Sequence, residues 1–205
     1  MEGVQLLEKL TAKTAPGRTP LINPAYALKI LRMIRYGPIG RKNISDNLDL
    51  GEGVIRTIVK RLIEEGLVST TRQGMMLTTR GERMLNDIGR NMIGVEFPQT
   101  ILTVSPANYA VLVKNGVSSI TTGLAQRDDA LLAGARGATT LVFQSNRLIM
   151  PGTEIIIDED LRSMIMNLLS PLEGDVIIVG SDDKLLNAEI GAYTAGLKLL
   201  LSLIN

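Results

Sequence analysis

The sequence contains no cysteine and no histidine. Without cysteine there is no disulfide framework, no thiolate metal site and no thiol nucleophile, which permits a reducing intracellular compartment. Without histidine the commonest general base and the commonest transition-metal ligand are both missing, so the inventory excludes zinc chemistry and Ser-His-Asp hydrolysis. A P-loop-type phosphate motif is also missing. Nothing that remains leads us to expect an enzyme, a cofactor or a bound metal. The acidic pairs Asp128 with Asp129, Asp158 with Asp160, and Asp182 with Asp183 supply oxygen ligands of the kind magnesium needs, but neighbours on a helix diverge. The opening residues, MEGVQLLEKLTAKTAPG, carry early acidic groups and no long apolar stretch before a small-residue cleavage site, unlike a signal peptide. No strongly apolar run approaches the ~20 residues of a membrane span; the longest candidate, residues 190–204, is shorter and contains Lys198. These absences lead us to expect a cytoplasmic protein without a membrane partner.

Apolar material, by contrast, is ample. A 45% hydrophobic fraction in 205 residues suits two small domains or one large one. The net charge of +1 conceals an asymmetry. Residues 1–90 hold 15 basic against 9 acidic residues, a net +6, and residues 91–205 hold 7 against 12, a net −5. Such a split is expected when one half attracts phosphates and the other does not. An excess of six over ninety residues also lies within ordinary surface fluctuation.

The most informative stretch is residues 43–85. Ile55, Ile58, Val59 and Leu62 fall at i, i+3, i+4 and i+7, one buried stripe of an amphipathic helix, and Gly66 suits the left-handed stop after it. Residues 67–71 favour strand, Gln73-Gly74 gives a tight turn, and residues 75–77 read as the returning strand. Thr79 and Glu82 then stand in capping-box spacing before a helix that carries Met84, Leu85 and Ile88 inward. Upstream, residues 3–11 suit a short helix, residues 14–24 a turn-rich connection, and Asn23-Pro24 a helix start with Pro at its first position. Ala27, Leu28, Leu31 and Ile34 repeat at helical spacing until Gly37-Pro38, and residues 40–48 supply a second helix whose inward residues are Ile39, Ile44 and Leu48.

Taken together, L-x-x-x-x-I-x-x-I-V-K-R-L-I-E-E-G-L-V followed by L-T-x-x-G-x-x-M-L resembles the winged helix-turn-helix domains of bacterial and archaeal transcription regulators, over roughly residues 24–90. The whole chain also resembles an uncharacterised archaeal family that joins such a domain to a GAD-like C-terminal domain, the insert fold of some transfer-RNA-related enzymes. The resemblance implies a winged helix over residues 1–92 and an α+β domain with a mixed sheet over residues 93–205, giving an α+β protein overall.

Residues 91–99, with Gly94 and Pro98, are the expected boundary. Beyond it the spacing turns strand-like. Residues 101–104, 109–113, 138–143, 148–150, 155–157 and 175–179 read as strands, with a hairpin turn at Ser145-Asn146. Residues 124–134 suggest a helix, Asp158 caps another that ends at Ser170-Pro171, and Gly180-Ser181-Asp182 leads into a last helix running nearly to Asn205. Its small residues, from Ala188 to Gly196, lie beside many leucines, so it is either covered by the sheet or shared between subunits.

For the helix of residues 53–64, the pole opposite the core stripe carries Gly53, Thr57, Lys60 and Glu64, flanked by Arg56 and Arg61. Arg reads guanine with a two-pronged hydrogen bond, Thr meets a thymine methyl or a phosphate, and Lys neutralises backbone charge. Arg41, Lys42 and Asn43 on the preceding helix, with Arg72 and Gln73 at the hairpin tip, are placed to clasp phosphates or a minor groove. Taken singly, each of these residues also reads as a solvated surface side chain, and Glu52 and Glu64 count against a purely electrostatic binder. A second set, Arg127, Arg136 and Gly137 with Ser181 and Asp182, offers guanidinium and amide donors to a small anionic effector. The plainer reading of these residues is a glycine cap, a turn and a helix N-cap.

The sequence thus points first to a homodimeric regulator that binds double-stranded DNA and senses an effector or dimerises through its C-terminal half. The alternative is an adaptor that uses the N-terminal domain to dock on protein or RNA.

Overall fold

Helical apolar spacing in the first half of the chain and strand runs in the second fold into two units, Met1–Gly89 and Arg90–Asn205. The computed structural model describes residues 2–12, 23–153, 155 and 157–204. Most of the turn-rich connection expected at residues 14–24 lies outside them.

The first unit places helices α1 (Glu2–Thr11), α2 (Pro24–Ile34), α3 (Arg41–Leu48) and α4 (Glu52–Glu64) before a hairpin, β1 (Val68–Thr71) and β2 (Gly74–Leu77), and then α5 (Thr79–Asn91). Asn23 opens α2 by accepting the Ala25 N–H, one of the orphan donors at a helix start. Burial pushes the Tyr26 phenol on α2 above its ordinary range, and the Asp49 carboxylate adds to the effect. The stripe Ile55, Ile58, Val59 and Leu62 is buried, at about 1.5–3 kcal/mol for each side chain removed from water. Gly66 is left-handed, at φ 67°. One expectation is corrected: the cap of α5 is Thr78 rather than Thr79. The Thr78 hydroxyl accepts the Gly81 N–H and donates to the Gly66 carbonyl, so Glu82 stands one residue too far along for a capping box.

The second unit is a five-stranded sheet in the order β3-β4-β7-β5-β6. Its strands are β3 (Met92–Phe97), β4 (Ala107–Val113), β5 (Gly137–Gln144), β6 (Arg147–Ile149) and β7 (Val176–Asp182). The fold class is α+β, as expected, but every pairing in this sheet is antiparallel rather than mixed. On one face α7 (Glu159–Leu169) closes a core of Ala110, Leu112, Leu141, Phe143, Ile177 and Val179 with its own Leu161, Ile165 and Leu169. The other face is covered by α8 (Leu185–Ser202), against which α6 (Leu124–Leu132) packs. That position explains why α8 is apolar nearly all round: it is buried within its own unit.

Three further expectations are corrected here. Within the expected boundary, residues 92–97 form β3, and Gly94 is there because a Cβ would run into Tyr193 and Tyr109. Residues 101–104 are not a strand. Thr100 and Thr103 fold them into a local turn, with the Thr103 hydroxyl accepting the Thr100 N–H and donating to the Thr100 carbonyl; Ile101 and Val104 are left exposed. Residues 180–182 are not a loop but the end of the central strand β7. Of the expected strand at residues 155–157, Ile155 and Ile157 belong to no regular element, and Ile156 lies outside the described residues.

Candidate nucleic-acid interface

At about 100° per residue, α4 sorts its side chains onto four sides. The core stripe faces inward and Gly53, Thr57, Lys60 and Glu64 point away from it. About a quarter turn from the core, Arg56, Val59, Lys60 and Ile63 follow one another at i, i+3, i+4 and i+7. This last stripe faces the hairpin. Together with Ile39, Gly40, Arg41 and residues 70–75 it lines a groove of about 750 Å³.

The hairpin is held there by backbone. Ile39 pairs with Met75 as an isolated bridge, which brings the start of α3 beside the hairpin tip. At that tip the Thr71 hydroxyl accepts the Gln73 N–H and donates to the Gly74 carbonyl. The groove therefore gathers Arg41, Arg56, Lys60, Arg72 and Gln73, four cations against the single carboxylate of Glu64. Lys60 and Glu64 are 3.7 Å apart, both well exposed, a pair worth little in water. Arg41, Lys42, Arg56 and Arg72 are exposed, and their side chains have no ion pair or hydrogen bond among the described residues.

The remaining expected contacts lie elsewhere. Lys42 and Asn43 are exposed on the first turn of α3, outside the groove lining, and the Asn43 carbonyl accepts from the Asn47 side chain. Gly53 is open to solvent, with nothing near the position of a Cβ. Thr57 spends its hydroxyl on the Gly53 carbonyl at 2.9 Å. Arg61 leaves α4 on the other flank. Its guanidinium donates to the Leu10 carbonyl at 2.7 Å and the Ala12 carbonyl at 3.3 Å, satisfying orphan acceptors at the end of α1. Arg61 thus holds α1 against α4 rather than sharing a surface with Arg56. Sequence reasoning missed the apolar lining, Ile39 and Ile63. The available signal was Ile63, a large apolar residue off the core stripe and 40% exposed.

In the second unit the candidate effector residues are occupied by structural contacts. Arg136 makes a two-pronged ion pair with Asp183, at 2.9 and 2.8 Å. Gly137 faces Val104, whose Cγ2 would lie 2.7 Å from an added Cβ. Ser181 is buried in β7. Asp182 accepts the Lys184 N–H and the Asn187 side chain, each at 3.0 Å, at the entry to α8. Arg127 pairs with its neighbour Asp128. Of the acidic pairs, Asp129 meets Lys198 and Asp158 caps α7.

Among the described residues no group of three or more acidic side chains gathers as a cation site would require, and no helix is long and apolar enough to cross a membrane.

Residues 27–83 match the family model described as "PH0730-like, N-terminal domain", and residues 104–199 match "Domain of unknown function (DUF4443)". No curated protein matches the chain. Among solved structures, the chain is similar to "Hypothetical protein PH0730 from Pyrococcus horikoshii OT3", with 22% identity over 88% of this chain and 94% of that one and a TM-score of 0.71. The chain therefore shares the α+β fold of an uncharacterised archaeal protein, with one segment similar to each of these two families.

Proposed function

We propose that residues 1–92 act as a winged helix that binds double-stranded DNA, with α4 as the recognition helix and the β1–β2 hairpin as the wing. The protein is then a non-enzymatic transcription regulator of the cytoplasm. Its GAD-like C-terminal unit serves dimerisation or effector sensing. One observation carries this reading: Arg41, Arg56 and Arg72, drawn from three separate elements, converge on one groove without side-chain partners among the described residues. Cations left unpaired on a shared surface suit a polyanion. In this reading Gly53 lets α4 approach the duplex closely, Arg56 reads guanine, Thr57 meets a thymine methyl or a phosphate and Lys60 neutralises backbone charge, while Arg41, Lys42, Asn43, Arg72 and Gln73 clasp phosphates or a minor groove.

Selection of genomic fragments by the full-length protein, followed by anisotropy titration at several salt concentrations, tests it. A motif preferred ~10³-fold or more over random duplex supports a specific regulator, and its symmetry reports the dimer. Absence of binding at low salt rejects the reading. The adaptor alternative then leads, favoured by the exposed Ile63 and by Glu64 in the same groove.

A further inference from the structure

The partly exposed Ile39 and Ile63 line the groove between α4 and the hairpin, bordered by the buried Val59 and Met75. A nucleic-acid backbone gains little from such a floor, since phosphates and sugars are bound through charge and hydrogen bonds. The groove's volume, about 750 Å³, falls inside the roughly 300–1,000 Å³ of small-molecule clefts, which are lined mainly by apolar groups with a few polar ones fixing orientation. At its rim stand Arg41, Arg56 and Arg72, all exposed and without partners among the described residues. The guanidinium fork matches a carboxylate in geometry as well as in charge.

From the apolar floor and the unpaired rim we infer that this groove binds a small amphipathic anion, an acyl or aryl carboxylate whose apolar body lies on Ile39, Val59, Ile63 and Met75. The accessible part of that floor is Ile39 and Ile63, since Val59 and Met75 are buried, and the carboxylate is held by the three arginines. The consequence for regulation rests on the DNA reading above. Ligand and duplex require the same Arg41, Arg56 and Arg72, so they exclude each other, and the effector acts at the DNA-binding surface itself. This differs from the C-terminal effector site expected from the sequence, whose arginines Arg136 and Arg127 are each paired with an aspartate, Asp183 and Asp128.

The test uses the full-length protein with labelled isoleucine methyl groups and decanoate, below its micellar concentration, as the probe. Acetate supplies the anion without the apolar body, and decanol the apolar body without the anion. The expected result is a saturable shift of the Ile39 and Ile63 methyl resonances with decanoate, weaker by about tenfold or more with either control and with Arg56→Ala or Arg72→Ala, as loss of a charge-assisted pair implies. Ile63→Lys, which keeps the fold by leaving the buried stripe intact, should abolish the shift at Ile39. Unsaturable shifts spread over the core methyls, or binding indifferent to both arginines, would overturn the inference. Decanoate must also displace a fluorescent duplex, and a duplex that binds regardless overturns the exclusion. If no duplex binds while Ile63 still saturates, the DNA reading fails and this site stands.

Discussion

Ile39 and Met75 exchange both backbone hydrogen bonds, the Ile39 N–H donating at 3.1 Å and the Met75 N–H at 2.9 Å. This two-way bridge fixes the hairpin against the start of α3 and so closes one end of the groove. It depends on the residue beside it. Gly74 has φ 140°, and an added Cβ would lie 2.7 Å from the Ile39 carbonyl carbon.

Gly74→Ala should therefore break the bridge. Strain at that φ and backbone overlap together imply a loss of about 1–3 kcal/mol in unfolding free energy. Hydrogen exchange should show the Ile39 and Met75 amides losing protection while the amides of α4 keep theirs. Retained protection at both amides would show that the hairpin tolerates the methyl group.

Arg56 and Arg61, five residues apart on α4, leave the helix about 140° from one another. Arg61→Ala should cost about 1–2 kcal/mol of stability, because the Leu10 and Ala12 carbonyls lose a charged donor, and should leave the salt dependence of DNA binding unchanged. Arg56→Ala should leave stability unchanged and lower the salt slope by about one. Denaturant unfolding and anisotropy titrations on the two variants check both halves. A reduced salt slope for Arg61→Ala would put that side chain back on the binding face.

The difference between these two arginines shows what sequence could supply. The apolar stripe from Ile55 to Leu62 and the turn residues placed α4 and the hairpin closely, because local spacing and backbone chemistry set them. What a flanking cation meets is decided by elements far along the chain: Leu10 is 51 residues from Arg61, and no local pattern encodes it. The same holds for β3, where Gly94 looked like a break and is instead the space taken by Tyr193 and Tyr109. Residues 101–104 failed in the opposite direction. Their apolar alternation resembles a strand, but paired threonine hydroxyls satisfy the backbone locally, a competition that composition does not reveal.

Gly180 adjoins the candidate effector residues Ser181 and Asp182 at the end of β7. A Cβ there would collide with the carbonyl of Ala188 on α8, so Gly180→Ala should destabilise the C-terminal unit by about 2–4 kcal/mol, as backbone overlap in a packed core does. Asp182→Ala should cost about 1–2 kcal/mol, because the Lys184 N–H and the Asn187 side-chain amide lose their acceptor, with no change in the affinity of any small anion. Calorimetry of the two variants, with phosphate and acetate titrations alongside, distinguishes scaffold from site. A weakened anion affinity in Asp182→Ala would restore the ligand reading.

Tyr26 gives the chain a pH response at the alkaline end. Burial first and the Asp49 carboxylate second raise its phenol above the ordinary value of 10.0. The neutral form is thus favoured in the fold more than in the unfolded chain. The resulting stability is fully present below about pH 10, the unfolded value, and is lost as pH rises through the raised folded value. Tyr26→Phe removes the ionisable group and keeps the ring, so it should unfold with a shallower alkaline slope than the parent while matching it near neutrality. Asp49→Asn should fall between the two, since it removes the smaller cause and leaves burial. Urea unfolding at a series of pH values from about 8 to about 11 measures all three. Identical slopes for the parent and Tyr26→Phe would mean that the phenol is solvated well enough to ionise without opening the first unit.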